Sequence, residues 1–292
     1  MGICMTSLVK DAIIIAAGIG SRMLPASLYS PKEFLPLVDV PAIHHVISEA
    51  VKSEAERIHI VISEEKMSFV EKLIIKIGSL DSNSSMDFFP GEIQARLSEN
   101  IELEIHVQKK QNGVGDAISC ALGSIGGPCL VLLGDNLMMP SDSGGPSPGE
   151  GKWVASRASL ELVKSYYRTG CAVAGISAVP DDSVSQYGVV EMDGEKIIGI
   201  TEKPEISEAK TNLVLCGRYV FPPGLKEVLN RDHIKEMGEM QSIGALMEFS
   251  RGFGLNGHLL DDYKWYDFGT PINWLKAQLD HAKSREDMDI DF

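Results

Sequence analysis

The sequence predicts an α/β protein with a mostly parallel, helix-covered central sheet, and three observations carry that expectation. Apolar, β-branched runs alternate along the chain with stretches of helical spacing. The first run, Ala12–Ala17 (AIIIAA), is apolar throughout, as a central strand covered on both faces requires. Two of these runs, Ala12–Ala17 and Cys129–Leu133, lead straight into loops rich in glycine and charge, Ala16–Arg22 and Gly134-Asp135-Asn136. The carboxyl edge of an open α/β sheet is where such loops meet ligands.

The elements follow in order. Over Pro41–Ala55, helical spacing puts Ile43, Val46, Ile47, Ala50 and Val51 on one stripe. Arg57–Ser63 (RIHIVIS) is a second strand, and Glu64–Ile77 a second helix stopped by Gly78. Residues 79–99 read as an irregular excursion. Ile101–Val107 alternates apolar and polar positions, which suits a half-exposed strand. Asp116–Leu122 is helical, and Cys129–Leu133 (CLVLL) is a buried strand. The Gly-, Pro- and Ser-rich stretch 141–151 cannot pack a core and reads as a flexible surface loop. Beyond it come a helix at Ala158–Arg168, a strand at Cys171–Val179, and a hairpin over Gly188–Glu202 turning at Asp193-Gly194. A strand at Leu213–Phe221 and helices at Glu239–Phe249 and Pro271–Lys283 close the chain, and the acidic tail Arg285–Phe292 is expected to fray.

Composition narrows the function. The 292 residues include 41 Asp and Glu against 27 Lys and Arg, a formal charge of −14, with no basic run. Nucleic-acid binding is therefore disfavoured, since each phosphate contact needs a cation. The longest apolar stretch, Ala12–Gly18, is too short to span a bilayer, which points away from a membrane protein. Five widely spaced cysteines without a C-x-x-C pair read as reduced thiols in a cytoplasmic protein. His44-His45 cannot form an i, i+4 metal pair, and one ring is expected to pack while the other is solvated. Trp265, Tyr266, Trp274 and Tyr166-Tyr167 read as core or subunit interface.

The loop after the first strand carries the chemistry. Gly18 and Gly20 let the backbone approach a phosphate, yet Met23 stands where a dinucleotide loop needs its third glycine, and no Gly-Lys-Ser/Thr of a P-loop appears. Pro25, Pro31 and Pro36 exclude one long helix. There remains an extended loop presenting Arg22 and Lys32, either to phosphate or, as an ordinary turn, to solvent. Asp135 and Asp267 are the strongest carboxylate candidates for a hard cation, or else helix-capping residues.

The segment AAGIGSRMLPASLYSPKEFLPLVDVPAI resembles the signature of the sugar-1-phosphate nucleotidyltransferases, in particular their uridylyltransferase branch acting on UTP and glucose 1-phosphate. The resemblance recurs in register at Gln108…Gly113-Val114-Gly115, Leu133-Gly134-Asp135, Tyr187-Gly188-Val189, Glu202-Lys203-Pro204, Asn212…Gly217-Arg218-Tyr219, Gly238-Glu239-Met240-Gln241 and Tyr266-Asp267-Phe268-Gly269-Thr270. It implies a Rossmann-like, three-layer nucleotidyltransferase fold with a mostly parallel mixed sheet and a small C-terminal helical extension. Residues 1–255 would form the catalytic domain, and 256–292 would complete the metal site and end in a helix. It also implies transfer of UMP from UTP to glucose 1-phosphate with Mg2+, without a covalent intermediate, in a homodimer or homotetramer.

Residue by residue, the resemblance gives Arg22 the leaving phosphates, Lys32 the triphosphate and Lys203 the sugar phosphate. It gives Mg2+ to Asp135 and Asp267. Ala16, Ala17, Gly18, Gly20, Glu33, Gln108 and Gly113 would hold the nucleotide. A glutamine amide offers both a donor and an acceptor, matching the N3–H and O4 of uracil or thymine. Gly188, Glu202 and Asn212 would join Lys203 at the sugar. The chain departs from the family pattern at Asp116, where relatives carry His, at Asn136, where they carry a second acid, and at Gly244, where an Asp is lost. Gly-Asp-Asn is the thymidylyltransferase form, so dTTP is one alternative nucleotide and N-acetylglucosamine 1-phosphate one alternative sugar. A catalytically silent sugar-nucleotide-binding regulator is the alternative from another class.

Overall fold

The structure is a computed structural model that describes residues 8–79, 89–141, 153–237, 241–252, 254–285 and 287–288. Strand β1 (Asp11–Ala16) is buried along its whole length and pairs in parallel with β4 (Arg57–Ile62) on one side and β6 (Cys129–Leu133) on the other. Beyond β4, β5 (Glu102–Val107) is the edge strand, also parallel. Beyond β6, β11 (Leu213–Phe221) runs antiparallel, followed by β8 (Ala172–Ala178), β12 (Leu255–Leu259), β10 (Lys196–Glu202) and β9 (Gly188–Asp193). The sheet thus has nine strands, with a parallel half built on β1 and a mixed half beyond it.

Helices cover both faces because the strands are apolar on both. Helix α2 (Ala42–Lys52) lies on one face with α3 (Met67–Gly78), α4 (Gly91–Glu99), α6 (Ala158–Thr169) and α10 (Pro271–Lys283), around Ile14, Ile43, Ile47, Ile60 and Leu162. Helix α5 (Val114–Ala121) lies on the other with α7 (Leu225–Leu229), α8 (Asp232–Lys235) and α9 (Gln241–Gly252), around Ile13, Val131, Leu246 and Phe249. The short α1 (Ala26–Tyr29) and the two-residue strands β2 (Pro36–Leu37) and β3 (Val40–Pro41) belong to the long loop after β1. Strand β7 (Asn136–Pro140) forms a separate antiparallel ribbon with β13 (Tyr263–Asp267). Among the described residues, no helix is long and apolar enough to cross a membrane.

Several expectations need correction. The excursion at 79–99 ends in helix α4, which Pro90 starts and whose Ile93 and Leu97 bury against the core. Its residues 80–88, almost all of the loop 141–151, and residues 238–240 lie outside the described residues. Both rings of His44-His45 pack: His44 stacks on Phe89 at 4.6 Å, and His45 lies against Trp153 at 4.1 Å and His281 at 5.1 Å. Arg285 does not fray with its tail but is buried, bound to Asp39 and to Asp287 at 2.6 Å. Strands β7, β12 and β13 went unread. The boundary at 255/256 falls within β12, which lies inside the main sheet.

Candidate active site

The order of the strands creates the cleft. From β1 the chain crosses through α2 to β4, then from β5 returns through α5 to β6 on the far side of β1. With α2 and α5 on opposite faces, a crevice opens above the carboxyl ends of β1 and β6, the usual ligand position in such sheets. A cavity of about 390 Å3 lies there. Ile15 and Leu133 floor it and Val114 of α5 walls it, while Arg22, Lys32, Gln108 and Asp135 face it. The strands can end so close together because residue 134 is glycine: a methyl there would lie 2.8 Å from the Ile15 carbonyl oxygen.

Of the residues expected at the nucleotide, Ala17, Gly18, Glu33, Gln108 and Gly113 line this cavity, with Arg22, Lys32 and Asp135. Ala16 is the last residue of β1, and Gly20 begins the turn that carries Arg22; neither lines it. The loop is clamped from below by Lys66, absent from the sequence reading. Its Nζ donates to the carbonyls of Ala16 (2.6 Å) and Gly18 (2.7 Å) and to Glu33 Oε2 (2.8 Å). Glu33 is therefore a buried partner of Lys66. Burial raises its carboxyl above the usual range despite the two neighbouring ammonium groups, and burial likewise lowers Lys66. Gln111 donates to the Ala17 carbonyl at 3.2 Å.

Gln108 is half committed. Its Nε2 donates to the Gly113 carbonyl at 3.1 Å and to Asp116 Oδ2 at 2.7 Å, which uses both amide protons. Only the acceptor Oε1 remains for a base, so the donor half of the expected pairing is already engaged. Asp116, the first departure from the family pattern, is what orients it.

The ribbon β7–β13 brings the two metal candidates together. Asp267 is directly opposite Asn136, and the Phe268 amide donates to the Asp135 carbonyl at 2.8 Å. Asp135 is held on both oxygens, Oδ2 by Lys32 and Oδ1 by Asn136 Nδ2 at 2.8 Å. Asn136 is itself fixed by Trp265 Nε1 on its Oδ1 at 2.7 Å. Burial opposes the charge of both Lys32 and Asp135, yet their contact overcomes it, holding the ammonium above its usual range and the carboxyl below. Asp267 is raised, by burial and then by the negative Asp135 beside it. Its Oδ1 accepts from the Gly269 amide at 2.7 Å. Arg22 lies across Gly269, where a methyl would come within 2.8 Å of the guanidinium carbon.

Beneath this turn lies a residue to which the sequence reading gave no role of its own. Arg218 of β11, wholly buried, pairs with Glu49 of α2 through two bonds of 2.9 Å. It also donates to the carbonyls of Asn136 (2.8 Å) and Leu133 (3.3 Å), which flank the Gly134-Asp135 turn. The residues expected at the sugar gather elsewhere, on β9, β10 and the start of β11. Gly188 faces Glu202, whose Oε2 is 2.9 Å from where a Gly188 Cβ would be. Lys203, largely exposed, lies 3.6 Å from Glu202 and donates its amide to the Tyr187 carbonyl at 3.0 Å. Asn212 is exposed just before β11. Tyr187 links this group to the carboxylates, with its ring 4.9 Å from Trp265.

The helix-covered nine-stranded sheet, with its cleft over β1 and β6, is that of an α/β enzyme, and residues 11–284 match the nucleotidyl transferase family, to which the chain belongs. The UTP–glucose-1-phosphate uridylyltransferase of Mycoplasma genitalium is 30% identical, over 97% of this chain and 95% of its own. Among solved structures, a UDP-glucose pyrophosphorylase complexed with UDP-glucose is 25% identical with a TM-score of 0.76, covering 95% of this chain and 100% of the other. The UTP-bound UGPase from Acinetobacter baumannii is 26% identical with a TM-score of 0.74, covering 96% of each chain.

Proposed function

We propose that the protein transfers UMP from UTP to glucose 1-phosphate, releasing pyrophosphate. The observation that carries this reading is the juxtaposition of Asp135 and Asp267 with Lys32 and Arg22 at the mouth of the β1–β6 cleft. Two adjacent carboxylates, one raised by burial and then by its neighbour, suit a divalent cation that would relieve their repulsion. Asp135 and Asp267 would hold Mg2+, which when bound screens phosphate charge and polarises the attacked phosphate. The rest is done by this chain's own groups. Lys32 bridges between Asp135 and the triphosphate, while Arg22, with its planar fork, takes the departing pyrophosphate. Lys203 and Glu202 receive the sugar phosphate and a sugar hydroxyl. No side-chain nucleophile is needed, since the sugar phosphate oxygen attacks directly and the work is alignment and charge neutralisation.

The base is read by Gln108 Oε1 accepting from N3–H, which uracil and thymine both carry. Asn136 gives no support to dTTP, because it holds Asp135, accepts from Trp265 and does not line the β1–β6 cavity. The relatives acting on UTP favour uracil. The apolar stripe Ile272, Leu275 and Leu279 on the outer face of α10 would seat a second copy of the chain. The test is pyrophosphate release with glucose 1-phosphate, Mg2+ and each of UTP, dTTP, CTP, ATP and GTP. UTP should support turnover best, and Asp135→Asn should remove it by two or more decades, several kcal/mol of transition-state stabilisation. Full turnover by that variant would refute the metal assignment.

A further inference from the structure

A second group of ligating side chains lies away from the cleft, where β4 and β5 pair at the edge of the sheet. The parallel register sets His59 beside Glu104 and Val61 beside His106, so His59, Glu104 and His106 project from one face. Their ligand atoms form a nearly equilateral triangle. His59 Nδ1 lies 3.0 Å from His106 Nε2 and 3.4 Å from Glu104 Oε2, and His106 Nε2 lies 3.5 Å from Glu104 Oε2. Tetrahedral zinc, with bonds of about 2.0–2.1 Å to nitrogen and oxygen, sets its ligands about 3.3 Å apart.

An independent observation concerns the far side of His59. Its Nε2 meets Asp11 Oδ1 at 3.0 Å, and Asp11 is itself gripped by Arg57 at 2.6 and 2.8 Å. A carboxylate there keeps the ring proton on Nε2 and leaves the Nδ1 lone pair aimed into the triangle, as outer carboxylates do for metal-bound histidines. His59 is wholly buried, whereas the Glu104 side chain is 32% exposed, which opens one side of the triangle to solvent and a water ligand. Among the described residues these are the one group of three or more His, Cys, Asp and Glu side chains whose ligand atoms lie close enough to share an ion.

We propose that His59, Glu104 and His106 bind a divalent ion of the zinc class, four-coordinate with one water, which clasps edge strand β5 to β4. Two imidazoles and one carboxylate favour zinc over magnesium, which prefers an all-oxygen shell. His106 precedes Gln108 by two residues, near the end of β5, so the clasp would steady the strand that leads into the base-reading glutamine. The site is distinct from the Asp135–Asp267 pair and stands whether or not the chain transfers UMP.

The test uses the full chain stripped of metal by a chelator, titrated with Zn2+ and Co2+ in excess Mg2+. The expected result is one equivalent bound at micromolar metal, the intense visible absorption of four-coordinate Co2+, and a melting temperature raised by Zn2+. His106→Gln and Glu104→Gln, both partly exposed substitutions, should weaken binding at least about tenfold and abolish the melting shift. Asp135→Asn combined with Asp267→Asn should leave all three signals intact. Absence of stoichiometric binding in the wild type would overturn the proposal. So would binding that survives His106→Gln, or binding lost in the Asp135/Asp267 double variant. In either of the first two cases the three side chains are only a hydrogen-bonded cluster, with His106 donating to His59.

Discussion

At the scale of single residues, the site works through partners that carry no charge to phosphate. Asp116 takes one proton of Gln108, Asn136 steadies Asp135, and Lys66 holds down the glycine loop. Motif spacing marks Arg22, Lys32, Asp135 and Asp267 as candidates, and the fold brings these four together. The sequence did not expose Lys66, which stands in a charged stretch (Glu64-Glu65-Lys66) that reads as solvated surface until the fold buries it. Of the departures from the family pattern, Asn136 reads in the sequence as a pointer to dTTP and Asp116 carries no assigned role; in the fold Asn136 donates to Asp135 and Asp116 accepts from Gln108. Gly269 gives a sharp test. Gly269→Ala would push the Arg22 guanidinium aside without touching the core, so kcat/KM with nucleotide should fall about tenfold or more, ~1.4 kcal/mol, while the urea midpoint stays put.

At the scale of elements, the strands of the parallel half were legible because their apolar runs are continuous, and the β9–β10 hairpin because Asp193-Gly194 marks its turn. The ribbon β7–β13 was not. Asn136–Pro140 and Tyr263–Asp267 are short, mixed in polarity and far apart in sequence, so no local period identifies them. Their pairing nevertheless places Asp267 beside Asp135. The same holds for Arg218, whose position inside a strand of LVLCGRYVF gives no hint that it anchors the turn before β7. Arg218→Met would strand Glu49 as an unpaired buried carboxylate, at a cost of about 3–5 kcal/mol. Chemical denaturation should show that loss, and the double substitution Glu49→Leu with Arg218→Met should recover most of it. Recovery of stability without recovery of turnover would assign the pair to holding the Asp135 turn.

For the whole molecule, the fold responds to acid through histidines packed between layers. Burial lowers His281 to about 4 and takes His45 well below its ordinary range, and neither Nε2 has a hydrogen-bond partner among the described residues. As pH falls below about 6.5 the unfolded chain takes up protons that the folded chain refuses until about pH 4, so stability drops across that window. The slope is ~1.4 kcal/mol per pH unit for each proton. Urea unfolding between pH 7 and 5 should therefore show a steeper loss in the wild type than in His281→Gln. On the outer surface, charging the α10 stripe with Leu275→Glu should shift sedimentation toward a single chain if a second copy covers it, leaving the circular dichroism unchanged. The route of the chain through the site has a consequence for biosynthesis. The glycine loop and its cations are translated before Asp135, and Asp135 before Asp267, which lies on β13 and follows β12 in the chain. A nascent chain that has not yet reached β13 therefore carries the proposed phosphate-binding groups without the second proposed metal carboxylate.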